Sequence, residues 1–413
     1  MKISALVLSL ALVGCGGDSS SGSSTPETTS QQVPASERGP RVHKTTLASW
    51  SDQHINWFVE AGSLNGESVI LTSEARFSTG EDGSVVPDSA TMGVWRETDG
   101  VWERGELVDE DAVVFHKAVI IDDTVLTVSG ALPRQDDGYG YLKRWSLSES
   151  GEWTSETIWR QRWGGAIQRF RDLEIGDVDG DGEDEFVVAT HDAGVVAVIE
   201  SDGTVTELDE KPDTFVHEIE IGDIDGDGVV EFFATPSDRN SASHSQHGEV
   251  VMYRFVDGSY ERVVVESGSG THAKEILATD IDGDGTTELF AVFEAVVVDG
   301  NITTPVEVRQ YTLNEEGGFD ASTVATIDDR QTRFLVAADF DNDGRQELVA
   351  AAMKTGLYFI DQSDSGEWSS SQFESNSGGF EHACNVADMN GDGTVELYVA
   401  ADDQKQLNVY EWR

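Results

Sequence analysis

One acidic nine-residue segment occurs five times in this chain of 413 residues, its copies start 46 to 59 residues apart, and short β-type runs flank each copy. These observations predict an all-β fold, a β-propeller of seven four-stranded blades closed by pairing an N-terminal strand with the C-terminal blade. Composition bounds the same answer. A hydrophobic share of 38%, with 10 Trp and 17 Phe, supplies a core and excludes a disordered acidic tail. Lys and Arg total 27 against 78 Asp and Glu, a formal net charge of −51. That field repels phosphate, so no nucleic-acid partner is expected. Only Cys15 and Cys384 are present, which excludes a disulfide-stapled scaffold and leaves Cys384 as a small buried hydrophobe.

The first element is an address. One Lys precedes an apolar run from Ile3 to Val13 that is too short to span a bilayer as a permanent helix. The run ends in Leu12-Val13-Gly14-Cys15, which resembles the lipobox of bacterial lipoproteins. The resemblance implies a signal peptide over residues 1–14, cleavage before Cys15 and lipidation of its thiol; the alternative is an ordinary secretory signal with a chance Cys. Residues 15–40 continue as a Ser/Gly/Thr/Pro-rich stretch without aromatic residues, the composition of a flexible tether. The expected location is the bacterial cell envelope, at the outer membrane or cell surface, with lipid as the sole membrane anchor.

The remaining residues, 41–413, carry the propeller: diverged blades in 41–164 and the acidic loops in 165–413. The loops run Asp177–Glu185, Asp223–Glu231, Asp280–Glu288, Asp339–Glu347 and Asp388–Glu396. Side chains at positions 1, 3 and 5 converge on one point in a tight turn: Asp177, Asp179 and Asp181; Asp223, Asp225 and Asp227; Asp280, Asp282 and Asp284; Asp339, Asp341 and Asp343; Asp388, Asn390 and Asp392. Position 7 (Glu183, Val229, Thr286, Arg345, Thr394) offers a backbone carbonyl, and position 9 (Glu185, Glu231, Glu288, Glu347, Glu396) a carboxylate. Six to eight oxygens suit Ca²⁺, whereas Mg²⁺ prefers to keep its water, so about five Ca²⁺ sites are expected. Asn390 keeps the oxygen but removes one charge. An EF-hand is excluded, because position 12 of the first copy is Val188 and the flanks are strands rather than helices. The pattern resembles the FG-GAP/VCBS repeat family, the calcium-loop propellers that include the integrin α-subunit head. The resemblance implies that each loop joins the first and second strands of a blade.

Two diverged blades precede the five. Phe115–Asp122 with Thr124–Val128, and His54–Glu60 with Ser68–Thr72, have the same strand–turn–strand form without the acidic loop. Seven blades follow; six or eight would follow if the N-terminal third divides differently. Outer hairpins are expected at Trp95–Trp102, Trp145–Trp153, Tyr253–Tyr260 and Phe359–Trp368. Leu407–Trp412 matches only half of such a hairpin, so residues 41–47 are expected to supply the missing outer strand and cover the open edge.

A basic column stands six residues before the first Asp of each loop: Arg171, His217, Lys274, Arg333 and His382, joined in the diverged blades by His116 and His54. On innermost strands the column lies about 20 Å from the loops, at the opposite channel mouth. There it is expected to attract anions, more so as the imidazoles titrate near their usual pKa of about 6.5. Two readings stand: ligand contact, or closure of the channel by ion pairs with the neighbouring Asp172, Glu218 and Glu275. Long polar connections at Ser73–Gly93, Gly130–Tyr141 and Pro236–Gly248 are expected on the same face. Trp159, Arg160, Arg162 and Trp163 add a second candidate surface, with blade packing as the alternative.

The chain has no G-x-S-x-G, H-E-x-x-H, phosphate-binding loop or Cys/His zinc pattern. The expected function is a tethered, calcium-binding, non-enzymatic binding or adhesion module whose calcium-free face engages an extracellular or envelope protein, or an anionic glycan. The alternatives are a polysaccharide lyase-like enzyme acting on an anionic glycan and a structural envelope scaffold.

Overall fold

The computed structural model describes residues 42–50, 54–79, 85–131, 138–163, 168–238, 246–268, 270–379 and 383–412. The predicted signal, Cys15 and the tether lie outside the described residues, as does His382. The described residues contain no helix. Seven sheets form the blades of a propeller, each with four main strands running outward from the axis, in sequence order in all but the seventh. The innermost strands are His54–Leu64, Val114–Ile121, Phe170–Gly176, Thr214–Gly222, Ala273–Thr279, Thr332–Ala338 and Ala383–Ala387, and each neighbours the next around a closed ring.

The apolar runs explain the stacking. Strand side chains alternate between the two faces of a sheet, and here both faces are covered. In the third blade Val187 and Ala189 pack toward the fourth, while Val188 packs back toward the second. Seven apolar clusters result, one at each blade junction. The last joins Val59, Ile70 and Trp95 of the first blade to Tyr398, Ala400 and Leu407 of the seventh. The first two blades replace the acidic loop with a two-residue hairpin turn. Asn65 and Gly66, like Asp122 and Asp123, adopt positive φ (54° and 76°; 47° and 57°), the geometry that matches strand twist. These blades share one further mark. Trp95 Nε1 donates to Thr72 Oγ1 at 3.0 Å and Trp145 Nε1 to Thr127 Oγ1 at 2.9 Å.

The expected hairpins are present: Ala90–Thr98 with Val101–Asp109, Gly140–Leu147 with Trp153–Gln161, Gly248–Val256 with Ser259–Gly268, and Gly356–Gln362 with Trp368–Glu374. Closure follows the prediction, with the strand Val42–Ser49 pairing antiparallel to Gln406–Trp412 as the outer strand of the seventh blade. Two connections differ from the expectation. Ser73–Gly93 is not one loop, because its strand runs on through Thr79 and Val85–Pro87 pairs back onto it. Pro236 belongs to the strand Glu231–Asp238. The fifth blade carries an inserted hairpin, Val296–Val298 with Asn301–Thr304, between its second and third strands.

Candidate functional site

Each acidic loop follows an innermost strand, so all five lie on one face of the propeller. Every loop is wired alike. The first Asp accepts from the sixth-position Gly N–H at 2.9–3.0 Å. The ninth-position Glu accepts the second-position N–H at 3.0–3.1 Å. The sixth-position glycines sit at φ 88–93°, which side-chain-bearing residues rarely adopt. Where four loops have Gly at position 4, Asn342 takes the left-handed conformation at φ 60°. Carboxylate oxygens of Asp177, Asp179 and Glu185 lie within 4.8 Å of one another, as do those of Asp223, Asp225 and Glu231, and of Asp280, Asp282 and Glu288. The fourth set adds Asp343 to Asp339, Asp341 and Glu347; the fifth is Asp388, Asp392 and Glu396. Asn390 keeps the loop wiring, its Oδ1 accepting from Asp392 N at 2.8 Å while its amide donates to Glu396.

The position-7 residues Glu183, Val229, Thr286, Arg345 and Thr394 donate their N–H to the position-5 side chain. Burial, reinforced by the adjacent Asp residues, pushes the Glu185, Glu231 and Glu288 carboxyls up to about 7 and Glu347 to about 8. All-oxygen donor sets of three or four crowded carboxylates suit a hard divalent cation, which would relieve their mutual repulsion.

At the opposite ends of the same strands the basic column coincides with a recurrent register shift. The pairing skips at His116, Arg171, Lys274 and Arg333, and across His217 and Glu218. In the first blade the skipped residue is Trp57, not His54. His54 lies three residues earlier, paired with Arg76, so it does not belong to the column; sequence offset misplaced it because this blade lacks the loop that fixes the alignment. The column is therefore basic in the second to sixth blades and aromatic in the first.

The residues are buried rather than displayed at an open mouth, with exposures of 9% for His116, 7% for Arg171, 0% for His217, 2% for Lys274 and 3% for Arg333. They also touch one another. Arg171 Nη1 donates to His116 Nε2 at 3.2 Å and Arg171 Nε to the His217 carbonyl at 2.7 Å. Lys274 Nζ donates to His217 Nδ1 at 3.2 Å. Lysine has no acceptor, so Nδ1 of His217 carries the lone pair and Nε2–H donates to Ser237 Oγ at 2.7 Å. Burial first, and then the neighbouring cations, hold both imidazoles well below their usual pKa. This corrects the expectation of imidazoles that titrate near 6.5, because each has its lone pair engaged by a cation.

One position further along, the acids form a second layer, in which Asp172 is partnered by Lys117. Lys117 Nζ lies 2.7 Å from Asp172 Oδ1 and also pairs with Glu174. Trp159 and Trp163 are turned inward, with Trp159 stacked on Phe170 at 4.5 Å and Trp163 at 5.9 Å from it. Both rings are half-buried against the core between the second and third blades, while Arg160 and Arg162 stay exposed.

Sequence reasoning passed over His191 and His272, which the fold brings into the basic layer. His272 stacks on His217 at 4.9 Å, and His191 lies 4.0 Å from Phe215. For His272 the signal was a second column two residues before the first, Arg169, Phe215, His272 and Gln331, with the same period; His191 lies outside both columns. Glycines make the approach possible. A Cβ on Gly248 would fall 2.4 Å from His272 Cβ, and one on Gly130 would fall 2.4 Å from Arg169 Cα. On this face a cleft of about 440 Å³ opens between the third and fourth blades, lined by Val196, Lys211, Val216, Ser237, His247 and Gly248 among others.

With this geometry in view, the comparisons with known proteins can be set beside it. Residues 177–234 and 339–399 match the FG-GAP-like repeat. These two segments resemble the FG-GAP-like repeat. The matched segments hold the first, second, fourth and fifth acidic loops and all or part of the strand that follows each. No curated protein matches the chain. Among solved structures the chain is similar to virginiamycin B lyase from Staphylococcus aureus, at 11% identity and a TM-score of 0.52 over 90% of this chain and 99% of that one. At that identity the likeness concerns the fold alone.

Proposed function

We propose that this FG-GAP-like propeller is a calcium-loaded, envelope-tethered binding module that presents the face opposite its acidic loops to an extracellular or envelope partner. One observation carries the reading: all five carboxylate clusters lie on one face, while the other holds the buried cationic layer, the cleft and the inserted hairpin. Calcium would be held by the side chains at positions 1, 3, 5 and 9 and the carbonyl at position 7 of each loop. When bound, it supplies positive charge that rigidifies five turns. The residues opposite then form a preorganised surface on rigid strands. Lipidation at Cys15 would supply the anchor.

Two measurements test this. Calcium titration of the full chain followed by calorimetry is expected to give about five sites, with binding lost loop by loop in Asp→Ala variants at position 1. Pull-down from envelope extracts and glycan arrays is expected to retain partners through the loop-free face; retention that survives alteration of that face overturns the reading. A second reading, an elimination lyase on an anionic glycan, draws on His272 Nε2 standing 3.7 Å from Glu294 beside the cationic layer. Appearance of unsaturated glycan products would favour it.

A further inference from the structure

The five acidic loops are wired alike, but their neighbours differ. Beside each loop, the third strand of the same blade places one residue across the ladder from the ninth-position Glu. Residues directly opposite in an antiparallel ladder share one face of the sheet, with Cβ atoms roughly 4.5–5.5 Å apart. In the third blade Phe186 pairs with Ile199, so the next pair outward is Glu185 and Glu200. The same step puts Arg254 beside Glu231, Thr312 beside Glu288, Asp361 beside Glu347 and Glu411 beside Glu396.

Two of these neighbours are acids that act on their loop. Glu200 shares a hydrogen bond with Glu185 and lies in the field of Asp179 and Asp181, and Asp361 acts on both Asp341 and Glu347. In the second, third and fifth loops the leading acids around the ninth-position Glu are the loop's own. The turns after Glu200 and Asp361 also touch their loops. Ser201 Oγ donates to Glu183, and Arg345 bridges Asp343 and Asp364 at 2.8 and 3.1 Å. Arg345 is the one cation in the five loop sequences, and Asp364 offsets it, so Asp361 stands as added negative charge. The other three neighbours add none. Arg254 is turned to Glu261, its Nε and Nη2 donating at 3.0 and 2.8 Å, Thr312 is neutral, and Glu411 does no more than replace the charge lost at Asn390. Neither Glu200 nor Asp361 belongs to the carboxylate sets that lie within 4.8 Å, so each stands beside its ligand set rather than in it.

Resting on the reading of the loops as calcium sites, we infer that Glu200 and Asp361 are outer acids that tighten the first and fourth sites, so that the propeller fills in two steps, two sites before the other three. An added carboxylate near the ion strengthens its attraction, and the count of ligand charges is what tunes calcium affinity in oxygen-ligand loops. Groups just outside a ligand set typically change metal affinity by about 10–100-fold when they are altered.

The test is calorimetric titration of the full chain with Ca²⁺ after metal removal by EGTA. Wild type is expected to show two tight sites followed by three weaker ones. Glu200→Gln and Asp361→Asn keep side-chain size and remove the charge, and each is expected to take one site out of the tight class with at least about a tenfold loss of affinity. Glu149 is exposed, on the same face, in a blade without an acidic loop. Glu149→Gln therefore removes the same charge elsewhere and is expected to leave the isotherm unchanged. Thermal melts in saturating Ca²⁺ confirm that each variant is folded. Five equal sites in wild type, a tight class that either folded variant leaves intact, or an equal loss in Glu149→Gln overturns the inference and leaves the loops as calcium sites. No calcium binding at all would remove both readings.

Discussion

Asp172 and Glu220 lie on adjacent inner strands, and their carboxyl groups are held in opposite states. Burial opposes ionisation of Asp172, but Lys117 and the Ile219 N–H outweigh it and keep the carboxyl below its usual range. Burial of Glu220 is reinforced by Glu174 and only partly offset by Lys117, so its carboxyl is held well above the usual range. An unfolded glutamate ionises near 4.5, whereas folded Glu220 keeps its proton far beyond that. Its contribution to stability is therefore complete below the unfolded value and is lost as pH rises through the folded one. Glu220→Gln retains the acceptor for the Ile221 N–H, at 3.3 Å from Glu220 Oε1, and removes the charge. The variant is expected to gain at least about 1 kcal/mol more at pH 8 than at pH 5, measured by denaturant unfolding in saturating calcium. An equal effect at both pH values would show that this carboxyl ionises normally.

At the scale of elements, the strand Val42–Ser49 joins distant parts of the chain, pairing with Gln406–Trp412 in seven register positions. Lys44 adds an ion pair to Glu374 of the sixth blade at 3.0 Å, and Val42 packs with Phe340, Tyr410 and Trp412 at the sixth junction. Without this strand the last blade has three strands and an open edge, and the ring loses its hydrogen-bonded closure through the seventh blade. Deleting residues 42–49 is expected to lower the single calorimetric transition of the whole ring by more than 10 °C. An early shoulder with the main transition unmoved would mean that the seventh blade frays alone and closure is not cooperative.

For the whole molecule, a formal charge of −51 opposes compaction, and fifteen or more loop carboxylates are crowded on one face. Five divalent ions would act where that repulsion is densest. At one hundred times Kd a saturated site stabilises the folded state by about 2.7 kcal/mol. Chelation by EGTA is accordingly expected to lower Tm strongly, with recovery on adding Ca²⁺ but not on adding Mg²⁺ at equal ionic strength. A Tm indifferent to chelation would separate the acidic clusters from any metal role. The blade count, the loop positions and the closing strand were all legible in the sequence, because each depends on local pattern: a repeated turn, period-two apolar runs, and half a hairpin left at Leu407–Trp412. The state of the basic column was not. Spacing placed Arg171, His217, Lys274 and Arg333 together, but it could not show that Arg171 and Lys274 engage the lone pairs of His116 and His217.

The sequence by itself determined the propeller and its two faces, since strand order and loop spacing are properties of neighbours along the chain. Tertiary structure alone decided what each face is chemically. Ring closure brings residues of different blades within 3 Å of each other and excludes water from between them. That proximity turned an apparent ring of titrating side chains into a buried layer of cations and neutral imidazoles, exchanged His54 for Trp57 in the column, and drew His191 and His272 into it.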